Sequence, residues 1–251
     1  MPRFFIRQDQ ISDGFVRLLG EDAHHVARSL RMAVGDEVTV CDMQGNEYTC
    51  HITAFEEDRV VTAEIESVRT ADKELPCFVT VFQALPKGDK LDTVIQKSVE
   101  CGAWRIVPFE SERCVVRVKS DAEARKTERR QRIAQEAAKQ CGRSVLPEVT
   151  PTVGFDEMLA MASACDVALF CYEGDGTVPL GQVLRERRER LTEGGTVAIV
   201  IGSEGGFSLR EAQAARDAGL CPVGLGKRIL RTETASGFAL SCLVYVTELD
   251  G

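Results

Sequence analysis

The stretch VAIVIGSEGGFSLREAQAARDAG, Val197 to Gly219, constrains the fold more than any other part of the chain. Val197–Ile201 offers no polar face, so a strand built from it must be covered on both sides, as in a parallel sheet between layers of helices. The run breaks at Gly202. A helix restarts after Ser208, a good N-cap with Glu211 three residues on, which makes S-L-R-E a capping box. Gly202, Gly205 and Gly206 therefore lie between strand and cap, where glycine permits positive φ and close approach of backbone to a ligand. Strand, glycine loop and helix also describe a phosphate cradle. Here the spacing is G-x-x-G-G, neither G-x-G-x-x-G nor G-x-x-x-x-G-K-[ST], and Glu204 at the centre would repel phosphate. A neutral or cationic ligand suits the loop better; the bland alternative is a tight turn.

The same alternation governs everything after Pro76. CFVTVFQAL, WRIVPF, DVALFCY, TVAIVI and CPVGLG read as strands. Between them lie helices GDKLDTVIQKSVECG, with Leu91, Val94, Ile95, Ser98 and Val99 on one face, a basic helix near 122–141, FDEMLAMAS, LGQVLRERRERL and SLREAQAARDAG. A final helix carries Ala235, Phe238, Ala239, Cys242, Leu243 and Val246 on one stripe. This is a βαβ pattern and a mainly parallel α/β sheet. The first seventy residues differ: RFFI, FVRLL, DEVTVCDM, NEYTCHITAF and RVVTAEIESV are short β-rich runs, MQGNE is a hairpin signal, and EDAHHVARSLR is one short helix with Ala23, Val26, Ala27 and Leu30 at helical spacing. They predict a small β-barrel at residues 1–70, a polar linker, RTADKELP, and an α/β domain over 76–251.

Composition narrows the class. No apolar run nears the roughly 20 residues that span a bilayer, and the N-terminal MPRFFIRQDQISDG has no apolar signal core. The ten cysteines form no C-x-x-C pair and sit mostly in apolar runs, which suits reduced buried thiols in a cytoplasm and predicts no metal site. The net charge of −8 argues weakly against nucleic acid. Residues 113–143, however, hold ten Lys/Arg (including Arg113, Lys119, Arg129, Arg130 and Arg143) against four acids, either a solvated helix face or a basic surface for a polyanion.

In an open α/β sheet ligands lie beyond the carboxyl ends of the strands. Two further loops fall there. In GLGKRILRTETASGFAL, Thr232 or Thr234 is placed to cap the last helix. Ile229 and Leu230 are apolar inside this loop, which a small-molecule pocket would explain. FCYEGDGT places Tyr172 and Glu173 beside two glycines.

Taken together, IGSEGGFS and LGKRILRTETA resemble the C-terminal signature of the RsmE family of ribosomal RNA small-subunit methyltransferases, members of the SPOUT class. PRFFI, HHVARSLRMAVGDEVTVCD, KGDKLDTVIQKSVECGAWRIVPFESERCV and RIAQEAAKQCGRSVLPEV extend the resemblance over nearly the whole chain. The family usually has proline where this chain has Ser203. The resemblance implies a SPOUT-type parallel sheet with a C-terminal trefoil knot, a PUA-like N-terminal barrel that grips RNA, and a cytoplasmic homodimer. It implies methyl transfer from S-adenosylmethionine (SAM) to N3 of a uridine in 16S RNA of the small ribosomal subunit. The cofactor would sit among Phe170, Tyr172, Glu173, Ile201, Gly202, Gly205, Gly206, Leu225, Gly226, Ile229, Leu230, Thr234 and Ala235, with Leu225, Ile229 and Leu230 around the adenine. SAM carries a sulfonium and no phosphate, so Glu204 is no obstacle to it.

Uridine N3 must lose a proton as it attacks, so a cation on the deprotonated ring and a base would both help. Arg231 is the expected cation. Glu204, Glu173 or Glu233 is the expected base, although Glu233 better suits a first-turn acid favoured by the helix dipole. Expected RNA contacts are Arg3, Arg7, His25, Arg28, Arg31, Arg113, Arg129, Arg130 and Arg143. Two other readings remain: a nucleotide-dependent oxidoreductase, which lacks the acidic residue about 20 residues after a proper fingerprint, and a non-catalytic RNA-binding assembly factor that keeps the fold.

Overall fold

The computed structural model describes residues 1–56, 59–118 and 120–250, so Lys119 of the basic run lies outside the described residues. The chain forms two compact units, Met1–Glu74 with Ala138–Leu146, and Leu75–Ala137 with Pro147–Gly251.

The first unit is a six-stranded sheet built from β1 (Arg3–Phe5), β2 (Ile11–Ser12), β3 (Phe15–Leu19), β4 (Glu37–Cys41), β5 (Asn46–Glu56) and β6 (Val60–Thr70), in the order β1-β4-β5-β6-β3-β2. Only β1–β4 is parallel among the described pairings. Period-two patterning sends one face inward: in β3, Val16 and Leu18 are buried, and they join Phe4, Ile6, Val38, Val40 and Ile52 in one core. The MQGNE hairpin forms, with Gly45 at φ +97° and Met43 at φ +59°. The Asp42 carboxylate steadies it by accepting from the backbone N–H groups of Gln44 and Asn46. The predicted short helix is α1 (Gly20–His24) running into one π turn over His25–Ser29. That change of pitch leaves Leu30 exposed, against the expected stripe, while Ala23 and Val26 stay buried.

A buried carboxylate organises this unit. Glu47, with 1% of its side chain exposed, accepts from Arg3 Nη1 (2.8 Å), Arg69 Nη2 (2.6 Å) and Ser144 Oγ (2.9 Å). Glu74 in turn accepts from Arg143 Nε (2.7 Å) and the backbone N–H of Ser144 (2.9 Å). These bonds tie Ala138–Leu146 to the strands. Arg3 and Arg143 are therefore interior, paired residues, which corrects the expectation that they face RNA. Polar groups this deep persist only when partnered.

The second unit is an eight-stranded sheet whose described pairings are all parallel. It comprises β7 (Phe78–Ala84), β8 (Arg105–Glu110), β9 (Glu148–Val149), β10 (Val153–Gly154), β11 (Val167–Cys171), β12 (Val178–Pro179), β13 (Thr196–Ile201) and β14 (Cys221–Gly224). The order is β10-β8-β7-β13-β11-β14-β12, with β9 also on β8. The opening apolar run is β13, central in that order and buried from Val197 to Ile201. The helices are α2 (Lys90–Glu100), α3 (Ser120–Cys141), α4 (Phe155–Ser163), α5 (Leu180–Glu186), α6 (Arg188–Thr192), α7 (Leu209–Asp217) and α8 (Thr232–Val244). The α2 stripe is as read. LGQVLRERRERL breaks at Arg187 into α5 and α6 rather than forming one helix. The α8 stripe also differs: Ser236 and Leu240 are buried, whereas Phe238 is 38% exposed and Cys242 only half-buried. Because α8 packs on α2, α5 and β13 at once, more than one of its faces is covered.

Among the described residues no helix is long and apolar enough to cross a membrane, no cluster suits a metal, and the cysteines are all free thiols.

Burial alone would raise the Glu47 pKa, but the hydrogen bonds from Arg3, Arg69 and Ser144 outweigh it and bring it from 4.5 down to about 2. A depressed carboxylate pKa stabilises the fold above the unfolded value and stops doing so as pH falls through the folded one. Glu47→Gln is expected to cost about 3 kcal/mol at pH 7. In urea unfolding followed by circular dichroism, the gap between wild type and variant narrows as the pH is lowered from 4.5 towards 2.

Candidate functional site

The carboxyl ends of β11, β13 and β14 open onto a cavity of about 730 Å³. Its walls are the three loops read from sequence. Tyr172, Glu173, Ile201, Gly202, Glu204, Gly205, Gly206, Leu225, Gly226, Ile229, Leu230, Arg231 and Ala235 all line it. Phe170 and Thr234 do not: Phe170 is fully buried beneath the loop and Thr234 is exposed.

Local physics explains the shape. The Ser208 capping box forms: Ser208 Oγ accepts from the Glu211 N–H (3.2 Å), and Glu211 accepts from the Ser208 N–H (2.9 Å). Ser208 Oγ also donates to Glu112 (2.7 Å) after β8. Under the loop, Phe207 packs between Phe170 (4.3 Å between ring centroids) and Phe109 (6.4 Å). A Cβ on Gly202 would lie 3.1 Å from the Phe207 ring, so the absence of a side chain lets the loop close onto this aromatic floor. At the neighbouring wall Arg216 donates to the Asp175 carbonyl (2.7 Å) and lies over the Tyr172 ring, holding the β11 loop.

Thr232 corrects a prediction. Neither it nor Thr234 caps α8; the N-cap is Arg231, without a side-chain bond. Instead Thr232 Oγ1 donates to the Gly202 carbonyl (2.6 Å) and accepts from Gln83 Nε2 (2.8 Å), joining the ends of β7 and β13 to the start of α8. Gln83 is itself fully buried. Sequence reading missed both roles, for want of any sign that the chain brings residues 83, 202 and 232 together.

The electrostatics also change the reading of Glu204. Its carboxylate accepts from Lys90 Nζ (2.8 Å) and from the Lys87 N–H (3.1 Å). Partial burial would raise its pKa, but Lys90 and these backbone donors overcome that and hold it below the usual carboxylate range. It is a paired anion, a poor proton acceptor, and does not present the uncompensated charge expected to repel phosphate. Glu233 lies 3.6 Å from the same ammonium. Glu173 forms no hydrogen bond or ion pair among the described residues, and neither does the Arg231 guanidinium. Burial pushes the Cys171 thiol on the cavity wall up to about 12, so it is not a nucleophile at neutral pH.

The expected RNA contacts divide. His25, Arg28, Arg31 and Arg7 are exposed, Arg7 beside Asp9. Arg113 lines the cavity and donates to the Gly205 carbonyl (3.1 Å). Arg129 pairs with Asp92, and buried Arg130 with Glu123 (3.1 Å), so Arg130 is likewise not a surface residue.

A parallel α/β sheet with a loop-built cavity at its carboxyl ends suits a small-molecule-dependent enzyme, and sequence comparison gives the class. The model of the RNA methyltransferase domain matches residues 73–244, and that of the RNA methyltransferase PUA domain matches residues 18–68. The ribosomal RNA small subunit methyltransferase E of Bacillus subtilis is 35% identical over 99% of this chain and 98% of its own length. A crystal structure of the Neisseria gonorrhoeae ribosomal RNA small subunit methyltransferase E bound to S-adenosyl methionine is 33% identical, covers 98% of each chain and has a TM-score of 0.83. A crystal structure of a hypothetical protein, 32% identical, covers 99% of this chain and 100% of its own at TM-score 0.91. The chain belongs to the ribosomal RNA small subunit methyltransferase E family.

Thr232→Val keeps the shape but removes the donor to Gly202 and the acceptor for Gln83. It is expected to cost about 1–2 kcal/mol in chemical denaturation, because Gln83 Nε2 still donates to the Ala84 carbonyl (2.9 Å) and reaches the Gly202 carbonyl (3.4 Å), and to speed hydrogen exchange at the 202–206 amides. Thr232→Ser should recover most of both.

Proposed function

We propose that this protein transfers the methyl group of SAM to N3 of a uridine in 16S ribosomal RNA of the small subunit. The observation that carries the reading is the cavity itself: glycine-rich backbone, apolar Leu225, Ile229 and Leu230, and a fringe of four exposed cations, Arg113, Lys227, Arg228 and Arg231. Apolar walls and backbone amides suit an adenosine, and cations suit an RNA backbone or an electron-rich ring. Ile229, 83% exposed, gains a cover when a flat ring occupies the cavity. At Gly226 (φ +105°) nothing lies within 4 Å of where a Cβ would stand, which leaves room for a ligand against bare backbone.

SAM, when bound, supplies a methyl carbon activated by its sulfonium. The chain's own residues do the rest. The glycine loop and Leu225–Ala235 would hold and orient the cofactor, so that the methyl group it supplies would be presented to N3. Arg231, uncommitted at the N-terminal end of α8, stabilises negative charge on a uracil carbonyl as the N3 proton leaves. Glu173 is the carboxylate in this cavity free to take that proton, while Glu204 is held by Lys90. The reading includes a trefoil knot among these loops, a homodimer, a cytoplasmic site of action, and RNA contacts from His25, Arg28 and Arg31 on the PUA-like unit.

The test uses purified protein, labelled SAM and small-subunit RNA from cells lacking the enzyme, with mass mapping of the product. A single 3-methyluridine is expected with wild type. Arg231→Ala should lower turnover by about 100-fold while calorimetry shows SAM affinity within about threefold of wild type. Near-normal turnover removes Arg231 from the chemistry. SAM binding without any methylated product would favour a non-catalytic RNA-binding factor.

A further inference from the structure

Lys90 is the first residue of α2, with its ammonium near the end where a helix carries partial positive charge. A lysine there is disfavoured by the helix dipole. The structure compensates with two carboxylates from distant parts of the chain: Glu204 of the glycine loop at 2.8 Å and Glu233 of the first turn of α8 at 3.6 Å. The three come from the N-terminus of α2, the loop after β13 and the N-terminus of α8, and Lys90 and Glu204 both line the cavity. The hydrogen bond to Glu204 is also what chiefly raises the pKa of Lys90, so the pair stays ionised at neutral pH.

The Lys90 ammonium lies 3.6 Å from the Glu233 carboxylate, so the first turns of α2 and α8 meet here. Their like partial charges would push the loops apart if nothing intervened. Glu204 and Glu233 answer that charge, and Lys90 keeps the two carboxylates from repelling one another. The Lys87 N–H donates to Glu204 as well, so the strand-to-helix turn before α2 grips the loop at a second point. Thr232 thus ties the loop at Gly202, Lys90 and the Lys87 N–H tie it at Glu204, and Arg113 meets the Gly205 carbonyl.

We infer that Lys90 is a positioning residue. It pins the glycine loop to the first turn of α8 and so preforms the wall of the SAM cavity, with Glu204 serving as its counter-ion. The inference rests on the reading that this cavity takes SAM, but part of its test does not.

Lys90→Met removes the charge and keeps the stem. Its SAM dissociation constant by calorimetry should rise about tenfold, the effect of one charge-assisted bond. Turnover at saturating SAM should fall by less than about threefold. Lys90→Arg should restore most of the affinity. Glu204→Gln should weaken SAM binding as Lys90→Met does, and the double variant should lose no more than either single one, because both remove the same interaction. In the ligand-free protein, amides 203–206 should exchange hydrogen faster in Lys90→Met than in wild type.

The inference is overturned by a Lys90→Met protein whose loop exchange and SAM affinity match wild type. Additive losses in the double variant, or a collapse of turnover at saturating SAM with unchanged affinity, would overturn it too. If wild type itself binds no SAM, the cofactor reading fails instead, and the exchange rates of the ligand-free variants still decide the role of Lys90.

Discussion

The Thr232 hydroxyl holds the site together. One oxygen donates to the Gly202 carbonyl and accepts from buried Gln83, so the ends of two parallel strands and the beginning of the last helix meet at one atom. The carboxyl end of a parallel sheet leaves strand-terminal backbone groups without ladder partners, and burying them costs free energy unless something bonds to them. Gly202 is such a place: its carbonyl leaves β13 just where the loop turns away. Satisfying it from α8 makes the last helix part of the cavity wall and fixes where Arg231, the residue before Thr232, enters the cavity.

The glycine loop then has little freedom. Phe207 sits on Phe170 and Phe109, Gly202 must remain bare to let that ring approach, and Arg113 and Ser208 reach across to and from the β8 loop. Aromatic packing supplies the floor, backbone the wall, and charge the rim. A loop restrained from beneath by apolar contact and at both ends by hydrogen bonds is preorganised, so a ligand meets a formed surface and spends little binding energy ordering it. Ser203 takes its place in this arrangement 7% exposed, with a hydroxyl that finds no partner among the described residues; a proline there would leave no such group.

Much of this was legible in the sequence because local rules govern it. The apolar run of β13, the capping box at Ser208–Glu211, the α2 stripe and the MQGNE turn each depend on residues a few positions apart, and each formed as the spacing dictates. The strand-end loops gathered round one cavity because a parallel sheet puts its carboxyl ends together. What escaped depends on distance along the chain. Thr232 reads as a cap until Gln83 and Gly202 stand beside it, Glu204 reads as a candidate base until Lys90 does, and nothing in Ala138–Leu146 announces that Ser144 and Arg143 return to Glu47 and Glu74. The α8 stripe was misread for a related reason: periodicity finds one buried face, and a helix packed against α2, α5 and β13 has more than one.

Counting charge was the least reliable guide. The run over 113–143 carries an excess of six positive charges once its own acids, among them Glu123 and Glu128 paired with Arg130 and Arg132, are subtracted, yet Arg129, Lys139 and Arg143 each meet a carboxylate from outside the run, Asp92, Asp22 and Glu74 in turn. A paired cation adds little to the long-range field that draws a polyanion, because its counter-ion cancels it within a few ångströms. By the same argument the cations that matter to a ligand are those left without a carboxylate, and such a residue stands at the cavity: Arg231, unpaired among the described residues, in the short basic stretch it shares with Lys227 and Arg228.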